Sequence, residues 1–95
     1  MIQKVEVRSS IELYDNKNDD QRVYDIESDV HISGVNVNST DGGTVYKDGE
    51  QVATFNSWDK HLNVTYMGMG MNEQTEINEA VNDFIGEVKK DVRNE

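Results

Sequence analysis

The chain contains no cysteine and no proline, and it has few basic residues. Without cysteine it can form neither a disulfide, a thiolate metal site nor a cysteine nucleophile. Small secreted domains usually depend on disulfides, and the first seven residues lack the apolar segment of a signal peptide. No apolar run approaches the roughly 20 residues that span a bilayer. We therefore predict a cytoplasmic protein with no membrane partner.

Basic residues are outnumbered, with 9 Lys and Arg against 19 Asp and Glu, so the net charge is −10. Binding to a phosphate backbone requires clustered Lys and Arg side chains, and the sequence has no such cluster. We therefore predict no direct binding to nucleic acid. Such a charge keeps a protein soluble, and it also suits contact with a basic protein.

The length of 95 residues predicts one domain, comprising residues 1–95. Residues 3–14 alternate between apolar and polar side chains, which predicts one long strand that bends near Ser9-Ser10. The side chains expected on its buried face are Val5, Val7, Ile11 and Leu13. A second alternating segment follows an acidic loop and begins at Tyr24. Its register changes at Ser33-Gly34, which we interpret as a bulge.

The dipeptide Asp48-Gly49 lies between two strand-like runs and predicts a two-residue hairpin turn. In that hairpin Lys47 faces Glu50, and simple pairing would place Val45 opposite Val52. The same register puts Tyr46, Ala53 and Phe55 on the other face. We therefore expect apolar residues on both faces of the hairpin, so the face away from a helix would need a partner or a second copy to cover it.

A last strand contains Leu62, Val64 and Tyr66, and the rhythm then changes to that of a helix. Asn72 is the predicted N-cap of a helix of roughly 20 residues. Its apolar face consists of Ile77, Ala80, Val81, Phe84, Ile85, Val88 and Val92. The predicted fold class is α+β, an antiparallel meander of about five strands packed by one C-terminal amphipathic helix.

Metal binding has one candidate, because Met67, Met69 and Met71 alternate with glycine and thioethers suit Cu(I). His31 and His61 could contribute only if the fold brings them close. Flexible methionines that fill the edge of a core explain the pattern more simply. We therefore predict no cofactor and no metal ion, and whether these methionines lie in the core, on the surface or at a metal stays open.

The loop that begins at Asp15 resembles a calcium loop only superficially, because Lys17 takes a ligand position and Ile26 replaces the twelfth-position glutamate. His31 and Ser33 share one side of a strand, but no third group or nucleophile turn accompanies them. We predict no catalytic residue and no enzyme activity.

One side of the helix carries an acidic stripe that consists of Glu76, Glu79, Asp83 and Glu87. Such a stripe is typically a solvated outer face, and it is the predicted partner-binding site if a basic protein docks on the helix. The leading hypothesis is a non-enzymatic cytoplasmic interaction module that acts through its sheet surface or edge, on a protein partner or, as a homodimer, on a second copy. The alternatives are an acidic antagonist that mimics nucleic acid, and a small metal-binding protein or enzyme.

Overall fold

The structure is a computed structural model that describes residues 2–94. It contains one antiparallel sheet, in which the strands follow one another in the order of the chain, and one helix after the last strand. The elements are β1 (Gln3–Arg8), β2 (Ile11–Asp15), β3 (Asp25–Ser33), β4 (Asn36–Lys47), β5 (Glu50–Trp58), β6 (His61–Tyr66) and α1 (Met71–Arg93). The predicted α+β meander with one C-terminal helix is confirmed, with six strands where about five were expected.

The additional strand arises at Ser9-Ser10, where the chain reverses and does not merely bend. Arg8 pairs with Ile11, and Ser9 has a φ of 55°. The prediction of one strand over residues 3–14 is therefore wrong. The turn also changes which side chains are buried, because Tyr14 enters the core while Val5 and Val7 are 51% and 58% exposed.

The register change at Ser33-Gly34 is also caused by a reversal of the chain. Gly34 and Val35 form a two-residue turn in which Gly34 has a φ of 64°, and Ser33 pairs with Asn36 across it. A turn and a bulge both shift an apolar pattern by one position, so the pattern alone cannot separate them. The predicted bulge is wrong, and the chain turns there from β3 into β4.

The predicted hairpin at Asp48-Gly49 is confirmed, and Lys47 pairs with Glu50. The expected pairing of Val45 with Val52 is wrong, because Val45 pairs with Ala53 and Val52 is an extra residue in β5. This irregularity places Val45, Ala53 and Phe55 together in the buried core. The hairpin therefore does not carry the two apolar faces that the sequence predicts.

The helix packs on one face of the sheet, where it comes closest to β4. Its buried side chains include Phe84, whose ring meets that of Phe55 edge to face at a centroid distance of 6.4 Å. Gly43 in β4 makes room for this contact, because a Cβ atom there would lie 2.6 Å from the Phe55 ring. No helix within residues 2–94 has the length and the hydropathy to cross a membrane.

The N-cap of the helix lies two residues before the predicted one. Gly70 is the N-cap residue, and it offers no side-chain hydrogen bond to the first turn. The Nε2 atom of Gln74 instead donates a hydrogen bond back to the Met69 carbonyl, 3.2 Å away. Asn72 lies within the helix, so its assignment as the cap is wrong.

Candidate interaction surfaces

The acidic stripe divides into two parts in the structure. Glu76 accepts a hydrogen bond of 3.0 Å from the Tyr24 hydroxyl, and Glu87 forms an ion pair with Arg22. These two carboxylates hold the loop before β3 against the helix. Glu76 is nevertheless exposed, as are Glu79 and Asp83, whereas Glu87 is half-buried. Three of the four predicted binding residues therefore reach solvent, and the stripe's function stays a prediction.

A second set of carboxylates ties the first strands to the helix. The buried Tyr14 hydroxyl donates to Asp91 at 2.8 Å and also lies 3.1 Å from Glu12. Lys4 of β1 forms an ion pair of 3.2 Å with Glu12. Burial, followed by the bonds to both carboxylates, raises the pKa of Tyr14 far above its usual value. This cluster fixes the β1 side of the sheet to the last turns of α1.

The acidic loop before β3 is organised by the chain itself. Asn16 is buried, accepts a 2.7 Å hydrogen bond from the Ile26 N–H and donates to the Tyr24 carbonyl at 3.3 Å. Lys17 pairs with Glu27 at 2.7 Å. Within residues 2–94 no group of three His, Cys, Asp or Glu side chains is arranged to hold a metal ion.

The three methionines of the connection between β6 and α1 do not share one side. Gly68 has a φ of 61°, which breaks the extended course that alternation requires. Met69 packs against the core, whereas Met67 is 45% and Met71 82% exposed. The geometry gives no convergent thioether site, so these residues belong partly to the core and partly to the surface.

The sheet face opposite the helix is mostly polar. At one end of it Trp58 is 49% exposed and lies beside His61, with a centroid distance of 5.5 Å between the rings. Toward the other end the Tyr46 hydroxyl donates to Glu27 at 3.3 Å, and the Lys17 ammonium lies over the Tyr46 ring. Ile11 and Leu13 are half-buried on this face and pair with His31 and Asp29 of β3. Apolar side chains therefore alternate with polar and charged ones and form no continuous apolar docking face.

The most distinctive surface is the outer edge of β6. Among the six strands of residues 2–94, β6 alone contains no Asp, Glu, Lys or Arg, and its pairing with β5 is regular throughout. Proteins usually protect an edge strand with charges, proline or a bulge. Sequence reasoning identified β6 as a strand but missed its role as an edge, for which the lack of charge was the available signal.

The backbone of β6 has a definite orientation. The Met67 N–H donates to the Val52 carbonyl at 3.0 Å, which makes that pair a hydrogen-bonded one. Because hydrogen-bonded and non-hydrogen-bonded pairs alternate in an antiparallel ladder, Thr65 and Asn63 also bond toward β5. The alternate residues direct their N–H and C=O groups outward, away from β5. These are Leu62, Val64 and Tyr66.

The side chains of those three outward-bonding residues lie on the helix face of the sheet, next to the core, and are only half-buried. Beside them a shallow groove separates the end of β6 from the first turns of α1. It is lined by Tyr66, Met71, Gln74, Thr75 and Asn78. An added strand would therefore find backbone partners at the edge and space for side chains next to it.

Comparison of the chain with family models, with curated proteins and with solved structures finds no match.

Proposed function

We propose that this chain is a non-enzymatic protein-interaction module that binds an extended polypeptide segment by strand addition at β6. One observation carries the proposal: the outward-bonding residues Leu62, Val64 and Tyr66 lie on an uncharged, regular edge. Main-chain hydrogen bonds supply the affinity in this mode of recognition, and alternate side chains supply specificity.

The half-buried apolar side chains of β6 favour strand addition over binding through the open face. A strand added to β6 covers Leu62 and Val64 from the side, which removes apolar surface from water. Its own alternate side chains fall beside Tyr66 and Met71 in the groove. On the open face the apolar and aromatic side chains are dispersed, because Trp58 lies beside His61 whereas Ile11 and Leu13 pair with His31 and Asp29.

We place this activity in the cytoplasm, because a domain of this size in an oxidising compartment usually contains disulfides. The proposal requires no cofactor and no catalytic residue. The acidic part of the helix that contains Glu79 and Asp83 is the competing surface, and the experiment below separates the two.

The test is selection of binders from a library of random peptides of about ten residues, followed by mapping of the bound peptide by backbone amide shifts. We expect selected peptides to perturb β6 and to lose binding in Val64→Pro, which removes an outward N–H. Val64→Thr is the matched control, because it keeps the N–H and the branched shape. Amide shifts of each free variant show that it is folded.

Two outcomes would contradict the proposal. Peptides that perturb Glu79 and Asp83 and leave β6 unchanged would identify the helix as the binding surface. Equal binding by the folded Val64→Pro and Val64→Thr variants would show that the edge backbone is not used. A second edge variant, Thr65→Lys, keeps the test valid if the proline variant does not fold.

A further inference from the structure

We infer that the segment which adds to β6 is the β6 strand of a second copy, in antiparallel orientation, with Val64 opposite Val64 on a two-fold axis. This inference rests on the proposed function, because it names the partner of the same edge. It joins the two sheets edge to edge and leaves both helices on one face of the continuous sheet.

The register follows from the outward-bonding residues. In an antiparallel pair, residues directly opposite each other bear side chains on the same face. With Val64 opposite itself, Leu62 lies opposite Tyr66 of the second copy, and these are the positions whose N–H and C=O groups point outward. Each copy therefore contributes three donors and three acceptors, and every one of them finds a partner.

Neighbouring registers are less favourable. A shift of one residue would place helix-face side chains opposite open-face side chains, which the pleat forbids. A shift that places Asn63 opposite itself pairs Leu62 with Val64. It leaves the backbone N–H and C=O groups of Tyr66 beyond the end of the shared ladder. The register centred on Val64 is the one that uses all three outward-bonding residues.

The side chains agree with this register on both faces. On the helix face, apolar Leu62 meets Tyr66 and Val64 meets Val64, and apolar cross-strand pairs of this kind stabilise a sheet. On the open face, Asn63 lies opposite Thr65, so a polar pair remains in contact with water. No like charges oppose each other, although each copy has a net charge of −10.

Sedimentation equilibrium of the intact chain tests the second copy. An edge contact of this size is weak, so we expect the weight-average mass to rise from 10.8 kDa toward twice that value between about 10 µM and 1 mM. Val64→Pro should weaken self-association at least about tenfold, whereas Val64→Thr should retain it. In hydrogen exchange, the amides of the outward-bonding residues should gain protection as concentration rises.

Cysteine cross-linking tests the register, and the natural chain contains no other thiol. In Val64→Cys the two thiols face each other across a pair with Cα atoms about 5.5 Å apart, which is within disulfide range. In Asn63→Cys the two cysteines lie on the diagonal, with Cα atoms about 7–8 Å apart, which is too far for a disulfide. A glutathione redox buffer should therefore produce covalent dimers of Val64→Cys and not of Asn63→Cys.

The outcomes separate this inference from the proposed function. A chain that stays monomeric at 1 mM (about the highest concentration used), yet binds library peptides at β6, overturns the second copy and leaves the proposed function intact. Dimers that cross-link through Asn63→Cys overturn the register. If a folded Val64→Pro variant dimerises unchanged and library peptides bind away from β6, both the inferred dimer and the proposed function are overturned.

Discussion

The two edges of the sheet differ in how they are protected. In β1, Val5 is an extra residue that interrupts the ladder between Lys4 and Glu6, and Lys4, Glu6 and Arg8 add charges. In β6 the ladder is regular and the strand carries no charge. Bulges and charges are the usual means of preventing a sheet edge from pairing with another chain. In this chain β1 has both a bulge and charges, whereas β6 has neither.

This difference would confine the proposed pairing to one side of the sheet. A sheet with two open edges would assemble into chains of indefinite length, whereas a single open edge related by a two-fold axis closes as a dimer. The attachment of β1 to the helix through Lys4, Glu12 and Tyr14 further restricts that edge. The following predictions change one edge at a time.

The largest expected effect comes from removing the protection of β1. Deletion of Val5 together with Glu6→Thr and Arg8→Thr should make β1 a second regular, less charged edge. The β1–β2 pairs before Val5 and those after it differ in register by one residue, which the deletion removes. We expect assemblies larger than twice 10.8 kDa in sedimentation velocity. The control adds Val64→Pro, which should limit assembly to pairs of β1. A chain that still stops at the dimer would show that β1 is closed by something else.

A smaller effect is expected when charge is introduced at β6. Asn63→Lys with Thr65→Lys places lysines opposite each other twice in the dimer, which should cost about 2 kcal/mol, or roughly 30-fold in Kd. The control carries Asn56→Lys with Thr54→Lys. These residues pair with Asn63 and Thr65 on the same face, one strand further in. Equal weakening by both variants would attribute the effect to total charge and not to the edge.

The sequence predicts the order of elements well because local patterns determine it. The two-residue period through Tyr66 and the helical period from Ile77 onward are properties of neighbouring residues, and the structure confirms both. Bulges and turns are harder, since each shifts the pattern by one residue. Ser9-Ser10 and Gly34-Val35 are turns that resemble bulges, and Val52 is an extra residue that the alternation did not reveal.

The candidate site depends on long-range contacts, which the sequence does not contain. The division of the acidic stripe follows from Tyr24 and Arg22, which lie 52 and 65 residues from Glu76 and Glu87 respectively. The edge position of β6 depends on strand order, which becomes known only when all strands are placed. Lack of charge in β6 is readable beforehand, but its meaning requires that order.

The attachment of the loop before β3 to the helix, through Tyr24 and Glu76, predicts an alkaline transition. Burial, and then the bond to Glu76, raises the pKa of Tyr24 to about 12 in the folded chain. A raised folded pKa means that its stabilisation is complete below pH 10 and is lost as the pH rises toward 12. The loss is on the order of 2 kcal/mol. Urea unfolding at several pH values should show it.

Tyr24→Phe is the matched variant for that titration, because it keeps the ring and removes the ionising group. Its unfolding free energy should fall less steeply between pH 10 and 12 than that of the parent chain. In a titration followed by absorbance at 295 nm, the variant should lack the tyrosine whose pKa is second only to that of Tyr14. Identical pH profiles for the two proteins would show that the bond between Tyr24 and Glu76 does not contribute.

The smallest expected effect separates edge pairing from overall stability. Gly86 lies in the interior of α1 and is exposed, and a Cβ there would meet nothing within 4 Å beyond the adjacent residues and backbone of its own helix. Gly86→Ala should therefore raise the free energy of unfolding by about 1 kcal/mol, since glycine is a poor helix former. Urea denaturation measures this change.

The Kd of self-association should stay the same, because the helix is not part of the β6 ladder. If a more stable helix also tightened self-association, pairing would depend on the whole fold, and the contrast between the two edges would not be its cause.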